Sequence, residues 1–304
     1  MPDQPTIIDT HMHGFEGITG AFLLRGEQTA LVETGPRSSV EHVFAGLESA
    51  GVENLDWIVV THIHLDHAGA AGTIARRFPG ARVAVHPVGA PHLVDPSKLW
   101  KSASRIYGEA MDRLWGGIDP IDEDRIRVVA DGDVIDLGGR TLTAIETPGH
   151  ASHHHAYADD ATGILFTGDA MGVSPRGIDA FRPATPPPEF HLETCLASIE
   201  RIRRIAPRAL WLTHYGPADV TVDEACDEAT DVLNRWAAWV RDGRKQSSEL
   251  DEVTAIVQEH ARAELENRLD EQEAARMEGT TSYRMNVSGY MRYFDKKEQA
   301  AVTS

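Results

Sequence analysis

Within six residues the chain places four side chains that bind metal ions: His62, His64, Asp66 and His67. They follow Trp57-Ile58-Val59-Val60, an apolar run that reads as a fully buried strand over 56–61. Gly69 and a helical pattern come directly after them. A loop at the C-terminal end of a buried strand is where side chains converge on a ligand instead of on the core. His62 and His64 are two residues apart, so on extended chain they project to the same side. Asp66 and His67 begin the turn into the helix and point to a second, neighbouring position. Imidazole with carboxylate suits zinc, and also iron or manganese. A cation held there would make water acidic enough to serve as hydroxide at neutral pH.

The order His-x-His-x-Asp-His resembles the signature of the metallo-β-lactamase superfamily, and the resemblance extends over residues 6–220. Thr147-Pro148-Gly149-His150 resembles the superfamily's third-histidine motif, Phe166-Thr167-Gly168-Asp169 its bridging aspartate, and Thr213-His214 its last histidine. Each follows a strand-like run, in family order. The resemblance implies that His62, His64 and His150 hold one ion. It implies that Asp66, His67 and His214 hold another, and that Asp169 bridges them. Two divalent ions, zinc with iron or manganese as alternatives, can share a water. The fold implied is a four-layer αββα sandwich.

One departure stands at the end of the third strand, where the superfamily reads Asp-Thr-Gly and this chain reads Glu33-Thr34-Gly35. Glu33 is expected to accept a ring N–H from a ligand histidine and so fix its tautomer. Asp66 is a candidate for relaying a proton to the leaving group. Tyr215 is a candidate oxyanion donor, with an ordinary packed tyrosine as the alternative. Asp9-Thr10-His11-Met12-His13 imitates the opening of amidohydrolase barrels, but eight strand–helix repeats and a mid-chain lysine after a strand are missing. His11 and His13 therefore read as loop residues. His153, His154 and His155 must point in alternating directions, so only some of them can face a cleft.

The elements that carry these residues alternate between strand and helix. Short strands are expected over 6–10, 19–25, 29–33, 81–86, 125–129, 134–137, 141–147, 157–159, 164–167 and 209–213. Helices are expected over 40–50, 68–78 and 190–205. Leu99, Ala103, Ile106 and Ala110 recur at helical spacing, which predicts one helix over 96–116. That helix, through Tyr107, and the loop from Arg182 to Pro188 are expected to frame the substrate pocket. From residue 221 onward only helical patterns remain, over 222–241, 249–277 and 286–294. The expected division is a metallo-β-lactamase-like unit over 1–220 and a helical extension over 221–304. The amphipathic stripes of that extension would form a homodimer interface or pack back on the same chain.

The 304 residues carry a formal net charge of −18, with 41% hydrophobic and 25% charged residues. That charge repels nucleic acid and anionic lipid, so a small-molecule substrate is expected. Two cysteines, Cys195 and Cys226, are too few for a disulfide framework. The first residues lack a basic and apolar leader, and a cytoplasmic location is expected.

The superfamily performs several reactions, and ligand type alone does not choose among them. Flavo-diiron enzymes normally carry glutamate at the position of His64 and a flavodoxin domain, which disfavours them. The leading expectation is a hydrolase of a thioester, ester or lactone, similar to glyoxalase II and the lactonases. The alternative is a mononuclear iron persulfide dioxygenase, whose two histidines and one aspartate correspond to His62, His150 and Asp169.

Overall fold

The segment Gly20–Arg25 is apolar on both of its faces, so the strand it forms must be covered on both sides. It is. Phe22 and Leu24 face one apolar cluster, and Ala21 and Leu23 face another. The computed structural model describes residues 4–178, 180–265 and 268–303. It contains two six-stranded sheets stacked face to face.

The first sheet runs in sequence order: β1 (Thr6–Asp9), β2 (Gly20–Arg25), β3 (Thr29–Val32), β4 (Trp57–Val59), β5 (Arg82–Val85) and β6 (Ile126–Val128). β1 to β3 pair antiparallel, and β3 to β6 pair parallel. The second sheet holds β7 (Val134–Asp136), β8 (Thr141–Glu146), β9 (His155–Asp159), β10 (Ile164–Phe166), β11 (Ala209–Leu212) and β12 (Gly216–Pro217). β10 and β11 are parallel to each other there, and the other pairs are antiparallel. Phe22, Val59, Tyr157, Phe166 and Trp211 fill the space between the sheets.

Parallel neighbours need helical crossovers, and these supply the outer layers. On the first sheet lie α1 (Val40–Ser49), α2 (Leu65–Ala68), α3 (Ala71–Arg77) and α4 (Ala90–Val94), with Val43, Leu47 and Ile74 in one cluster with Leu31 and Ile58. Next in the chain come α5 (Ser97–Tyr107) and α6 (Met111–Trp115). The second sheet is covered by α7 (Leu192–Ile205) and α8 (Val222–Arg244), whose Ile199, Ile202 and Val232 pack with Leu165 and Leu210. The layers are thus α, β, β, α. The C-terminal helices α9 (Leu250–Leu265), α10 (Glu271–Thr280) and α11 (Tyr283–Thr303) follow. Val253, Val257, Tyr283 and Tyr290 join the same cluster as α7 and α8.

Two expected long helices are broken, each for a local reason. The helix over 96–116 divides at Gly108, which takes φ +52°, a conformation that glycine adopts without a side-chain clash. The helix over 249–277 divides because Asp270 caps α10, its carboxylate accepting from Glu273 N while Glu273 accepts from Asp270 N. The last helix is longer than the expected 286–294.

Arg182 does not frame the cleft mouth as the sequence suggested. Its guanidinium turns into the protein, where it donates to Glu278 Oε2 and Thr281 O at 3.0 Å each and stacks on Tyr283 at 4.1 Å. The buried Thr185 and Asn286 add a second tie, with Thr185 N donating to Asn286 Oδ1 at 2.8 Å. At Gly289 any side chain would run into the Thr185 carbonyl, so this close approach requires glycine. Arg182 therefore fastens the loop to the C-terminal helices. Arg182→Met is expected to lower stability by roughly 1–3 kcal/mol in urea unfolding, because Glu278 is partly exposed and regains water.

Candidate metal centre

The loops that follow β3, β4, β8, β10 and β11 converge on one point. After β4 the chain bends at Thr61, is extended at His64 and then enters α2, which carries Asp66 and His67. His62 Nε2 and His150 Nε2 each lie 2.9 Å from His64 Nδ1. On the other side, His67 Nε2 and His214 Nε2 lie 3.7 and 3.5 Å from Asp66 Oδ2. Asp169 stands between the two groups. Its Oδ2 is 3.5 Å from His150 Nε2, and its Oδ1 is 3.3 Å from His67 Nε2 and 3.5 Å from His214 Nε2. All seven side chains that the sequence singled out as ligands are therefore together, in two groups sharing one carboxylate.

The far side of each ring explains why the near side is bare. His150 Nδ1 donates to Ala184 O and His214 Nδ1 to Ile18 O, both at 2.8 Å. Each Nε2 is then left with a lone pair aimed at the centre. Thr61 Oγ1 donates to Glu33 Oε1 at 2.5 Å, and lies 3.0 Å from His62 Nδ1, whose proton it can accept. Glu33 Oε1 also receives Thr213 Oγ1 at 3.1 Å and His67 Nδ1 at 3.2 Å. The longer side chain at this position thus reaches a ligand ring.

The donor set fits a cation. Three nitrogens crowd together with no proton pattern that lets all of them bond to one another. His67 Nε2 and Asp169 Oδ1 are buried without a hydrogen bond. Burial and neighbouring rings hold His62 and His64 well below the usual imidazole range, which keeps them neutral, as ligands must be. Burial also pushes His67 down, but Asp169, Glu33 and Asp66 outweigh it and hold that ring well above its usual value. Buried carboxylates competing for one imidazolium are what a bound metal ion would relieve.

A family model described as the metallo-β-lactamase superfamily matches residues 15–214. The chain belongs to this superfamily. It is 28% identical over 207 residues to the metallo-β-lactamase fold-containing protein ST1585 of Sulfurisphaera tokodaii, covering 66% of this chain and 74% of that one. The crystal structure of ST1585 superposes with a TM-score of 0.69 at 23% identity, over 95% of this chain and 99% of the other. The hydroxyacylglutathione hydrolase of Cupriavidus metallidurans is 26% identical over 71% of this chain and 70% of its own. The acyl-coenzyme A thioesterase MBLAC2 of Bos taurus is 31% identical over 49% of this chain and 57% of its own. Other relatives, three oxidases and a fungal thioesterase, are longer, and the chain spans 36% to 43% of their length. Metallo-β-lactamase-fold proteins bind metal ions, and the histidine-rich cluster is this chain's potential metal site.

The remaining candidates divide. Tyr107 lines the cleft above the cluster, with His64, Asp66, His150, Asp169 and His214 at the floor. Tyr215 does not line that cleft. It borders a separate groove with Arg176, and burial together with Asp9 pushes its phenol up to about 12. The oxyanion role suggested for Tyr215 therefore has no geometric support. His11 stacks on His42 at 4.2 Å, and His13 packs edge-on against Trp115. Neither is in the cluster.

The three consecutive histidines meet different neighbours, with His154 turned away from the side of His153 and His155. His153 lines the cleft and His155 packs against His86. His154, buried between them, has a role that sequence reasoning did not single out. Its Nε2 accepts from the backbone N–H of Asp169 at 3.0 Å, and its Nδ1 lies 2.8 Å from Thr147 Oγ1. Gly168 keeps φ +52°, and a side chain there would strike His154 Nε2 and Thr61 Oγ1. The alternation of the histidine run was the available signal, but only the fold shows which ring meets Asp169. His154→Ala is expected to weaken metal binding about 10–100-fold, read by competition with a chelator.

Among the described residues, no helix is long and apolar enough to cross a membrane.

Proposed function

We propose that the chain is a dinuclear metal-dependent hydrolase of a small-molecule thioester, ester or lactone, with zinc as the metal. One observation carries the reading: the two oxygens of Asp169 face different ligand groups, each of which has its own histidines. That arrangement suits two ions sharing a carboxylate. Bound there, such ions would supply a hydroxide nucleophile at neutral pH and polarise the scissile carbonyl.

The chain's own residues do the rest. Glu33 and Thr61 hold ring tautomers so that lone pairs face inward. His154 fixes the backbone of Asp169. The Asp66 side chain is 18% exposed at the cleft wall, against 6% for Asp169. Asp66 would take up the proton released by the attacking water and hand it to the departing alkoxide or thiolate. Relatives named as a hydroxyacylglutathione hydrolase and an acyl-coenzyme A thioesterase support hydrolysis as the reaction class.

The test is metal content on protein purified without added metal, followed by turnover of thioesters, esters and lactones. Two zinc ions per chain, falling to one in His214→Ala with loss of turnover, is the expected result. One iron per chain, with oxygen uptake on a persulfide and no hydrolysis, would instead identify a dioxygenase.

A further inference from the structure

The cleft above the cluster encloses about 150 Å³. Leu99, Ala103, Ile106 and Tyr107 of α5 form one wall, and Met285 of α11 faces them. The Tyr107 hydroxyl points across to Met285 Sδ at 3.5 Å, and burial holds the phenol far above its usual range, so it stays neutral. Among the described residues that line the cleft there is no lysine or arginine. The acidic residue lining it away from the metal cluster is Glu189, whose carboxylate accepts from Ser152 N at 2.7 Å.

Basic residues border this face but none of those described lines the cleft. Arg182 is bound to Glu278 and Thr281. Arg292 and Lys296 are exposed and donate to the Pro188 carbonyl at 3.3 and 3.1 Å. The chain as a whole carries −18. Away from the ligand cluster, a phosphate or carboxylate on the substrate would meet an apolar wall, Glu189 and a repulsive field, with no lysine or arginine among the described lining residues to pair with.

We infer that the cleft selects a neutral, aliphatic acyl ester or lactone, and discriminates against thioesters on anionic carriers such as coenzyme A or glutathione. This rests on the hydrolase reading. It also sets the chain apart from the two relatives whose names specify those carriers. The aliphatic arm lies along α5 and Met285, and the scissile carbonyl lies over the ligand cluster.

The experiment uses the full metal-loaded chain and a matched series. Lactones and aryl esters with acyl chains of two to ten carbons are compared with octanoyl thioesters of N-acetylcysteamine and of coenzyme A. The expected kcat/KM rises about fourfold per methylene, equivalent to ~0.8 kcal/mol, until the cleft is full. The neutral octanoyl thioester is expected to exceed its coenzyme A counterpart at least tenfold at low salt, with the gap narrowing as salt is added. Ile106→Lys, at a half-exposed wall position, is expected to narrow it further. Equal or better turnover of the coenzyme A or glutathione thioesters would overturn the inference. Calorimetric binding of a non-hydrolysable alkyl amide, with and without a terminal carboxylate, is read separately. If nothing is hydrolysed yet the neutral amide alone binds, the hydrolase reading fails and the cleft selectivity stands. If the carboxylate form binds as well as the neutral one, the selectivity fails whatever the turnover.

Discussion

An Asp169→Ala variant is expected to lose hydrolytic turnover by roughly ten-thousandfold or more while keeping its fold. The carboxylate is 6% exposed, and its two oxygens face the two ligand clusters. If two ions bind as proposed, losing it would remove a donor from each at once and also the charge between them. The fold has little at stake there. Asp169 N still donates to His154, and Oδ1 has no hydrogen bond to lose. Circular dichroism should be unchanged, and metal analysis should find no more than one weakly held ion per chain. Asp169→Asn separates shape from charge. It keeps one oxygen, so it is expected to retain the ion held by His62, His64 and His150 while losing most of the activity. Two tightly held ions in Asp169→Ala, with turnover within tenfold of the parent, would remove the basis for a shared bridging carboxylate.

The clustering of the seven candidate ligands was legible in the sequence because each sits in a short segment whose geometry is locally determined. An apolar strand followed at once by histidine or aspartate puts the side chain at a sheet edge whatever the rest of the chain does. The layer order was legible for the same reason, since parallel strand runs separated by helices admit few arrangements. What failed depends on contacts distant in sequence. Arg182 looked like a cleft residue because its loop does reach the cleft through Pro186, yet its partner Glu278 lies far along the chain. Tyr215 follows His214 directly, but the chain turns over 213–215, and its ring meets Asp9 and Arg176 instead. Met285 could not be assigned to the cleft from periodicity, because α11 is held there by partners distant in sequence, Thr185 with Asn286 among them. His154 is similar: alternation says that only some of the three histidines face the cleft, and only the fold says that His154 meets Asp169.

The second large effect is expected at Glu33. One of its oxygens, Oε1, accepts from Thr61, Thr213 and His67, so Glu33, in the loop after β3, ties together the segments that follow β4 and β11. The backbone reinforces the same point. Glu33 takes φ +68°, a left-handed turn that costs roughly 1–2 kcal/mol for a residue with a side chain. The turn leads into Thr34, whose N–H and hydroxyl both donate to the His67 carbonyl, at 2.9 and 2.7 Å. His67 is therefore held from its ring by Glu33 and from its backbone by Thr34. Glu33→Ala would leave three buried donors without an acceptor, at roughly 1–3 kcal/mol each, against a total stability of about 5–15 kcal/mol. Unfolding of metal-free protein in urea should show a loss of about 3–6 kcal/mol. Glu33→Gln keeps an oxygen in reach and drops the charge, so it should stay folded while binding metal about 10–100-fold more weakly. The pair separates two roles of one side chain. Alanine reports the hydrogen bonds that join the loops, and glutamine reports the negative charge that makes His67 a stronger ligand. If metal-free Glu33→Ala unfolds within about 1 kcal/mol of the parent, less than a single lost buried acceptor should cost, the three loops are held by their strands alone.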